Sequence, residues 1–428
     1  VVLTPARRGA VLLRHSAGDE TAALLEVPLT PAPGRRPAVT MTAARRGTAA
    51  ALAAALACGC TTAPAHRAAP TVSASPSSSP SPARHDGGYL GPVPPLLDPH
   101  DVYAADRPGR LADSVRTFPS LVYVPNSESD TVDVIDPRTY TVVGHFAVGR
   151  LPQHVTPSYD LSTLWVDNDL GDSLTAIDPR TGRPGRTVSV TDPYNLYFTP
   201  DGRYAIVVAE RLRRLDFRDA HTMRLVHSLA VPDCPGVDHL DFSAAGDYLV
   251  ASCEFGQAVV AVDLRTQRET GRLALPGGKP QDVKLSPDGR TFWVADMDRG
   301  GVHLVTGPSL RLAGFLPTAA GAHGLYVSRD SRLLYVTNRD AGTVSVVSFA
   351  TRRVVRTWTV PHGSPDMGGV SADGRVLWLS GRYDAEVYAI DTTSGRLLAR
   401  IRVGRGPHGL CVFPQPGRYS TGHTGVFR

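Results

Sequence analysis

The sequence contains no Cys-x-x-Cys-His motif, no histidines spaced three apart and no serine in a Gly-x-Ser-x-Gly setting. The first absence excludes covalently attached c-type haem. The second excludes a metal site carried on one local motif, and the third argues against the nucleophile elbow of a serine hydrolase. Charge of one sign is scarce as well. Of the formal net charge of +5, residues 1–57 supply seven Arg against three acidic residues, a net of +4. The remainder is close to neutral with its signs interspersed, which is not the footprint of a nucleic-acid-binding surface. The small apolar run 48–57 falls short of the roughly 20 residues that span a bilayer.

That run has another use. Met41 is followed by Arg45 and Arg46, then the run itself, then Cys58-Gly59-Cys60. A positive segment, a short apolar stretch and small residues before a cysteine describe a secretory signal. The segment 41–60 resembles a bacterial lipoprotein signal with Cys58 or Cys60 as the anchored residue, although Ala55 or Ala57 stands where Leu is usual. Residues 1–40 carry no secretory logic and read as an upstream extension of the true start. Residues 61–84 are rich in Ser, Pro and Ala and read as a tether. Residues 85–118 carry Tyr89, Leu90, Leu96, Leu97, Val102 and Tyr103 and read as a docking segment. The expected protein is exported, held to the outer face of the membrane by its lipid alone, and monomeric.

The 41 Gly and 36 Pro announce many turns, and a repeat explains them. Related segments begin at residues 152, 193, 237, 280, 322, 365 and 407, spaced 41, 44, 43, 42, 43 and 42 apart. A period in the forties with short alternating strands is the signature of propeller blades, since a single four-stranded sheet buries its faces only between neighbours. Each unit reads as strand A, a turn such as Ser286-Pro287-Asp288-Gly289, strand B, strand C, a turn such as Asp178-Pro179-Arg180-Thr181-Gly182, and strand D. The first B-C-D group lacks an A strand, and the last A strand lacks a B-C-D group. Joined, they complete a seventh blade and close the ring, which removes the sheet edges that invite aggregation. The expected fold is all-β: a seven-bladed propeller over 119–415, followed by a tail at 416–428.

Tyr335-Val336-Thr337-Asn338, with Gly324-Leu325-Tyr326-Val327-Ser328 before it and Gly342-Thr343-Val344-Ser345-Val346 after it, resembles the YVTN family of β-propeller repeats. The resemblance extends more loosely over 119–415 and implies the fold rather than a function. The chain is also distantly similar to the haem-d1-binding propeller of bacterial nitrite reductases.

In such a fold the A strands line the central channel, and the D–A and B–C loops open on one face. Entering the A strands are His154, Asn195, Asp238, His239, Asp282, His323, Asp366 and His408. At the B-strand ends stand Asn126, Asn168, Glu210, Glu254, Asp296, Asn338, Arg339 and Arg382. From these sets His154, Asn195, Asp238, His239, Asp282, His323, Asp366, His408, Glu254, Arg339 and Arg382 are the candidate ligand-binding residues. His154, His239, His323 and His408 are candidate ligands for a divalent transition metal, because neutral imidazole suits zinc, copper, nickel or iron. The bland alternative is that these groups satisfy backbone atoms around a wet channel. His145, His221, His227, His303 and His362 fall on outer strands or loops and read as solvated. The expectation is a binding module rather than an enzyme, taking a small molecule or an extracellular protein on this rim. The alternative is a metal- or haem-associated oxidoreductase, or a lactonase-like hydrolase, using the same residues.

Cysteine supplies one further expectation. Cys234 precedes the third A strand and Cys253 ends the B strand that pairs with it. Neighbouring strand ends bring Cα atoms within disulfide range, and an exported protein sits where such bonds persist. A Cys234–Cys253 bridge follows, while Cys411 reads as a buried thiol in the closing strand.

Overall fold

The computed structural model describes residues 2–6, 10–14, 24–26, 90–423 and 428. The chain divides into two units, 1–79 and 80–428. In the first, Val2–Ala6, Ala10–Arg14 and Leu24–Glu26 form a three-stranded antiparallel sheet. The signal segment with Cys58 and Cys60, and the tether, lie outside the described residues. Among those described, no helix is long and apolar enough to cross a membrane.

The second unit holds seven four-stranded antiparallel sheets. The A strands of blades 1–6 are Pro152–Pro157, Asn195–Phe198, Val237–Phe242, Pro280–Leu285, Ala322–Val327 and Pro365–Val370. Blade 7 joins Cys411–Phe413 to Leu121–Asn126, with Cys411 opposite Tyr123 and Phe413 opposite Leu121. The ring therefore closes by pairing the two ends of the domain, as the leftover strands require.

Burial follows distance from the axis. A strands such as Pro152–Pro157 and Val237–Phe242 are buried throughout, whereas the outermost strand Arg268–Ala274 alternates between exposed and half-buried residues. The B-strand tryptophans fill the seams between blades. Trp293 meets Phe349 edge-on at 5.2 Å, and Trp378 lies 5.7 Å from Tyr140. Truncating such a side chain costs about 3–5 kcal/mol.

One hydrogen-bond device sets most A–B turns. Ser286 Oγ donates to Asp288 and accepts from Thr291 N–H, while Gly289 takes φ +69°. The same hydroxyl–carboxylate pair recurs at Ser158/Asp160, Thr199/Asp201, Ser243/Asp247, Ser328/Asp330 and Ser371/Asp373. The Ser-Pro-Asp-Gly signature is a local turn code, which is why it marks the period so clearly.

Residues 90–118 cover the face formed by these turns. Gly91 N–H donates to Asp201, Val102 N–H to Pro287 O, and the Tyr103 hydroxyl to Leu285 O. Asp106 forms a buried ion pair with Arg329 at 2.8 Å. This covered face is called the base below.

Candidate functional site

The tail enters the channel from the base. Ser420 N–H donates to Tyr159 O, Phe198 N–H to Thr421 O, and His423 N–H to Leu196 O. Gly422 bridges Tyr197 at φ +94°. A Cβ there would meet the backbone of Tyr197 and Leu196, so glycine is what lets the tail rise along the second A strand. Arg428 is buried against Asp241 at 2.9 Å and also donates to Phe242 O and Ser243 O. The base end of the channel is thus filled by protein, and the opposite rim carries the candidate site.

The four histidines singled out from the sequence form a closed ring at the hub. Centroid distances are 5.5 Å from His154 to His239, 6.1 Å to His323, 5.9 Å to His408 and 4.9 Å back to His154. A fifth imidazole joins them. His423 lies 4.7 Å from His239 and 5.0 Å from His154. Sequence reasoning missed it because the tail has no repeat position, and a lone histidine between Gly422 and Thr424 looks like any other loop residue.

Asn195, Asp238, Asp282 and Asp366 share this hub and, like the five imidazoles, are 0–3 % exposed. The upper layer comes from the residue that follows each B-strand end. In blades 2 and 3 this is Glu210 and Glu254, and in blades 5 and 6 it is Arg339 and Arg382. Glu254 pairs with Lys279 at 2.8 Å, Arg339 pairs with Asp366, and Arg382 donates to Ser127 Oγ at 3.0 Å. The mouth is therefore acidic on one side and basic on the other. Exposed aromatic rings flank it, Phe255 beside Glu254 and Tyr383 beside Arg382.

Not every polar B-strand end faces the channel. Asn126, Asn168 and Asn338 fold onto their own C strands, donating to Asp133, Thr175 and Ser345. Asp296 instead holds His303 at 2.8 Å, so His303 is buried and paired rather than solvated. These residues lock B–C hairpins. The expected Cys234–Cys253 pair is a disulfide with Cα atoms 4.9 Å apart, and Cys411 is a buried thiol.

Electrostatics at the hub are set by burial. It lowers His154 to about 4 and the other four imidazoles well below their ordinary range, so all five are neutral. Burial, then Glu254 and Glu210, raises the Asp238 carboxyl. Burial raises Asp282 to about 6, and burial with Glu254 raises Glu210 to about 8. A native Glu210 that keeps its proton to about pH 8, against an ordinary value of 4.5, loses relative stability as the pH rises through that interval. Glu210→Gln removes this loss. Its stability relative to wild type should climb between about pH 5 and 8, which denaturant melts at several pH values will read.

The hub is also incompletely satisfied. Among the described residues, His154 Nε2, His239 Nε2, His423 Nε2, His408 Nδ1, both Asp238 oxygens, Asp282 Oδ1 and Asp366 Oδ2 are buried without a hydrogen-bond partner. Each such group costs about 1–3 kcal/mol. They converge on the hub from the starts of several A strands and from the tail. A cleft of about 640 Å³ lies elsewhere, lined by Ser286, Trp293, Leu333, Phe349 and Arg352 near the base, and it shares none of these residues.

A model of YNCE-like beta-propellers matches residues 89–418. The chain belongs to this family. His423 and Arg428 lie past the matched stretch, so the tail's share of the hub is not part of what the YNCE-like match covers. No curated protein is a significant sequence match. Among solved structures, the periplasmic gluconolactonase PpgL of Pseudomonas aeruginosa is 21% identical, covering 69% of this chain and 99% of its own, at TM-score 0.58. Hydrazine synthase of Kuenenia stuttgartiensis is 20% identical, covering 66% and 97%, at 0.57. The dihydro-heme d1 dehydrogenase NirN, solved with DHE, is 17% identical, covering 77% and 82%, at 0.54. At these identities the likeness is one of fold.

Proposed function

We propose that this propeller binds a small polar ligand at the rim end of its channel, with the bipolar mouth orienting it and the histidine–carboxyl hub beneath receiving it. The observation that carries the reading is the cluster of buried, unpartnered nitrogens and oxygens at the hub, beneath a mouth with Glu210 and Glu254 on one side and Arg339 and Arg382 on the other. With Glu210 protonated to about pH 8 and Arg339 paired with Asp366, Glu254 and Arg382 supply the opposed charges that favour a ligand with separated positive and negative groups. The reading also places the protein outside the cytoplasm on a lipid anchor. The leader and the Cys234–Cys253 disulfide support that placement.

The test is a thermal-shift screen of small zwitterions and ions on protein isolated from the membrane fraction of its host. Hits should raise the melting temperature, and Arg382→Ala and Glu254→Gln should each abolish the shift. Arg352→Ala, in the cleft near the base, should leave it unchanged. Hits that depend on Arg352 and ignore Arg382 would put the ligand in that cleft, and protein found only in the soluble fraction would remove the anchor.

A second reading has its own support. A carboxyl that stays protonated to about pH 8 above neutral imidazoles has the make-up of an acid–base pair, and one structural neighbour is named a gluconolactonase. Turnover of a sugar lactone that Glu210→Gln abolishes would favour hydrolysis over binding alone.

A further inference from the structure

Three hub imidazoles present nitrogens without a hydrogen-bond partner among the described residues. His154 Nε2, His239 Nε2 and His423 Nε2 are all buried without a protein partner, and one ring nitrogen from each lies within 4.8 Å of those of the other two. We propose that His154, His239 and the tail's His423 together hold a divalent first-row transition-metal ion. The inference rests on the hub being a binding site and deepens that reading by naming what its floor holds.

The ligand chemistry is suitable. Imidazole nitrogen suits zinc, copper, nickel and iron, and three such rings converge here. Three histidines with one further position form a common zinc set, and Zn–N distances of about 2.0–2.1 Å require the rings to draw together modestly. His154 donates its Nδ1–H to Tyr194 O at 2.9 Å, which leaves the lone pair on Nε2.

Asn195 controls the other two rings. Its amide lies 2.9 Å from His239 Nδ1, 3.1 Å from the Tyr197 hydroxyl and 3.5 Å from His423 Nδ1. In the structure Asn195 Nδ2 faces these groups; when the amide turns to present its oxygen, it accepts from the His239 and His423 Nδ1–H groups and both Nε2 lone pairs are freed. That turn gives up the bond that Asn195 Oδ1 accepts from Leu196 N–H at 2.9 Å.

Charge balance favours this triad over its neighbour. Asp238 Oδ1 lies 3.4 Å from His239 Nε2, and Asp282 Oδ1 lies 3.9 Å from His423 Nε2. Neither oxygen has a hydrogen-bond partner. His323, Asp366 and His408 also converge, but Arg339 already neutralises Asp366 and Arg382 acts on it too.

Full-length protein, stripped with a chelator, should take up one equivalent of Zn²⁺ by calorimetry. Co²⁺ in its place should give the intense visible absorption of a four-coordinate site. His154→Ala, His239→Ala, His423→Ala and the milder His423→Gln should each weaken Zn²⁺ binding at least 100-fold while circular dichroism stays unchanged. Asn195→Ala should weaken it about 10- to 100-fold, as for partners that orient ligands, and His303→Ala should have no effect. No uptake by folded wild type, or uptake indifferent to His423, overturns the proposal. Uptake lost in His323→Ala but kept in His423→Ala also overturns it, by moving the ion to the other cluster. Metal failure with Arg382-dependent ligand binding retained sinks this inference alone, and loss of both sinks the binding reading beneath it.

Discussion

Arg329→Ala should destabilise the protein by about 3–5 kcal/mol, the range expected when one partner of a buried ion pair is removed. Arg329 leaves the A strand of blade 5 at the base and is only 5 % exposed. Its Nη1 meets Asp106 at 2.8 Å, its Nε donates to Ser371 O, and its Nη2 donates to Val370 O and Gln415 Oε1. One guanidinium therefore ties the docking segment, blade 6 and the end of the closing segment at Gln415 to blade 5. Asp106 shows what its loss would expose. Burial already raises that carboxyl to about 7 even with Arg329 pulling it down. Without the arginine, Asp106 is left buried and unpaired, and several carbonyls lose their donor. Denaturant unfolding should show the full loss, and Asp106→Asn, which retains a polar partner for Arg329, should cost less. A loss under about 1 kcal/mol for Arg329→Ala would mean that the base is held by apolar contacts alone.

The propeller was legible because its determinants are local and repeated. Ser286-Pro287-Asp288-Gly289 and its counterparts each build their own turn, so the period could be counted without any long-range contact. Closure followed from the unpaired first B-C-D group and last A strand. The ring of His154, His239, His323 and His408 was legible for the same reason, since each is the second or third residue of a repeat segment that opens an A strand.

What sequence reasoning could not reach depends on non-repeated contacts. His423 arrives on a tail whose path is fixed by the Tyr197 backbone and by Arg428 against Asp241. The B-strand ends divide by a shift of one residue: Asn338 turns to Ser345, while Arg339 turns inward to Asp366. A spacing of seven links Asn126 to Asp133, Asn168 to Thr175, Asp296 to His303 and Asn338 to Ser345. That spacing is visible in the sequence and marks the residues that lock hairpins.

Asp238→Leu should make the protein more stable, by about 1–3 kcal/mol, while abolishing ligand binding. Asp238 is fully buried, and neither of its oxygens has a hydrogen-bond partner of normal geometry. Burial, Glu254 and Glu210 raise its carboxyl, and the Tyr194 hydroxyl offsets this only in part. A buried polar group without a partner costs stability, and replacing it with an apolar side chain of similar size recovers that cost. Groups kept at such expense are characteristic of sites where function opposes stability. The decisive measurement is equilibrium unfolding of wild type and Asp238→Leu, with binding measured on the same samples. A higher unfolding free energy with binding lost is the result expected of a hub built to receive a ligand. A lower unfolding free energy with binding intact would show that Asp238 supports the fold and that the hub is structural.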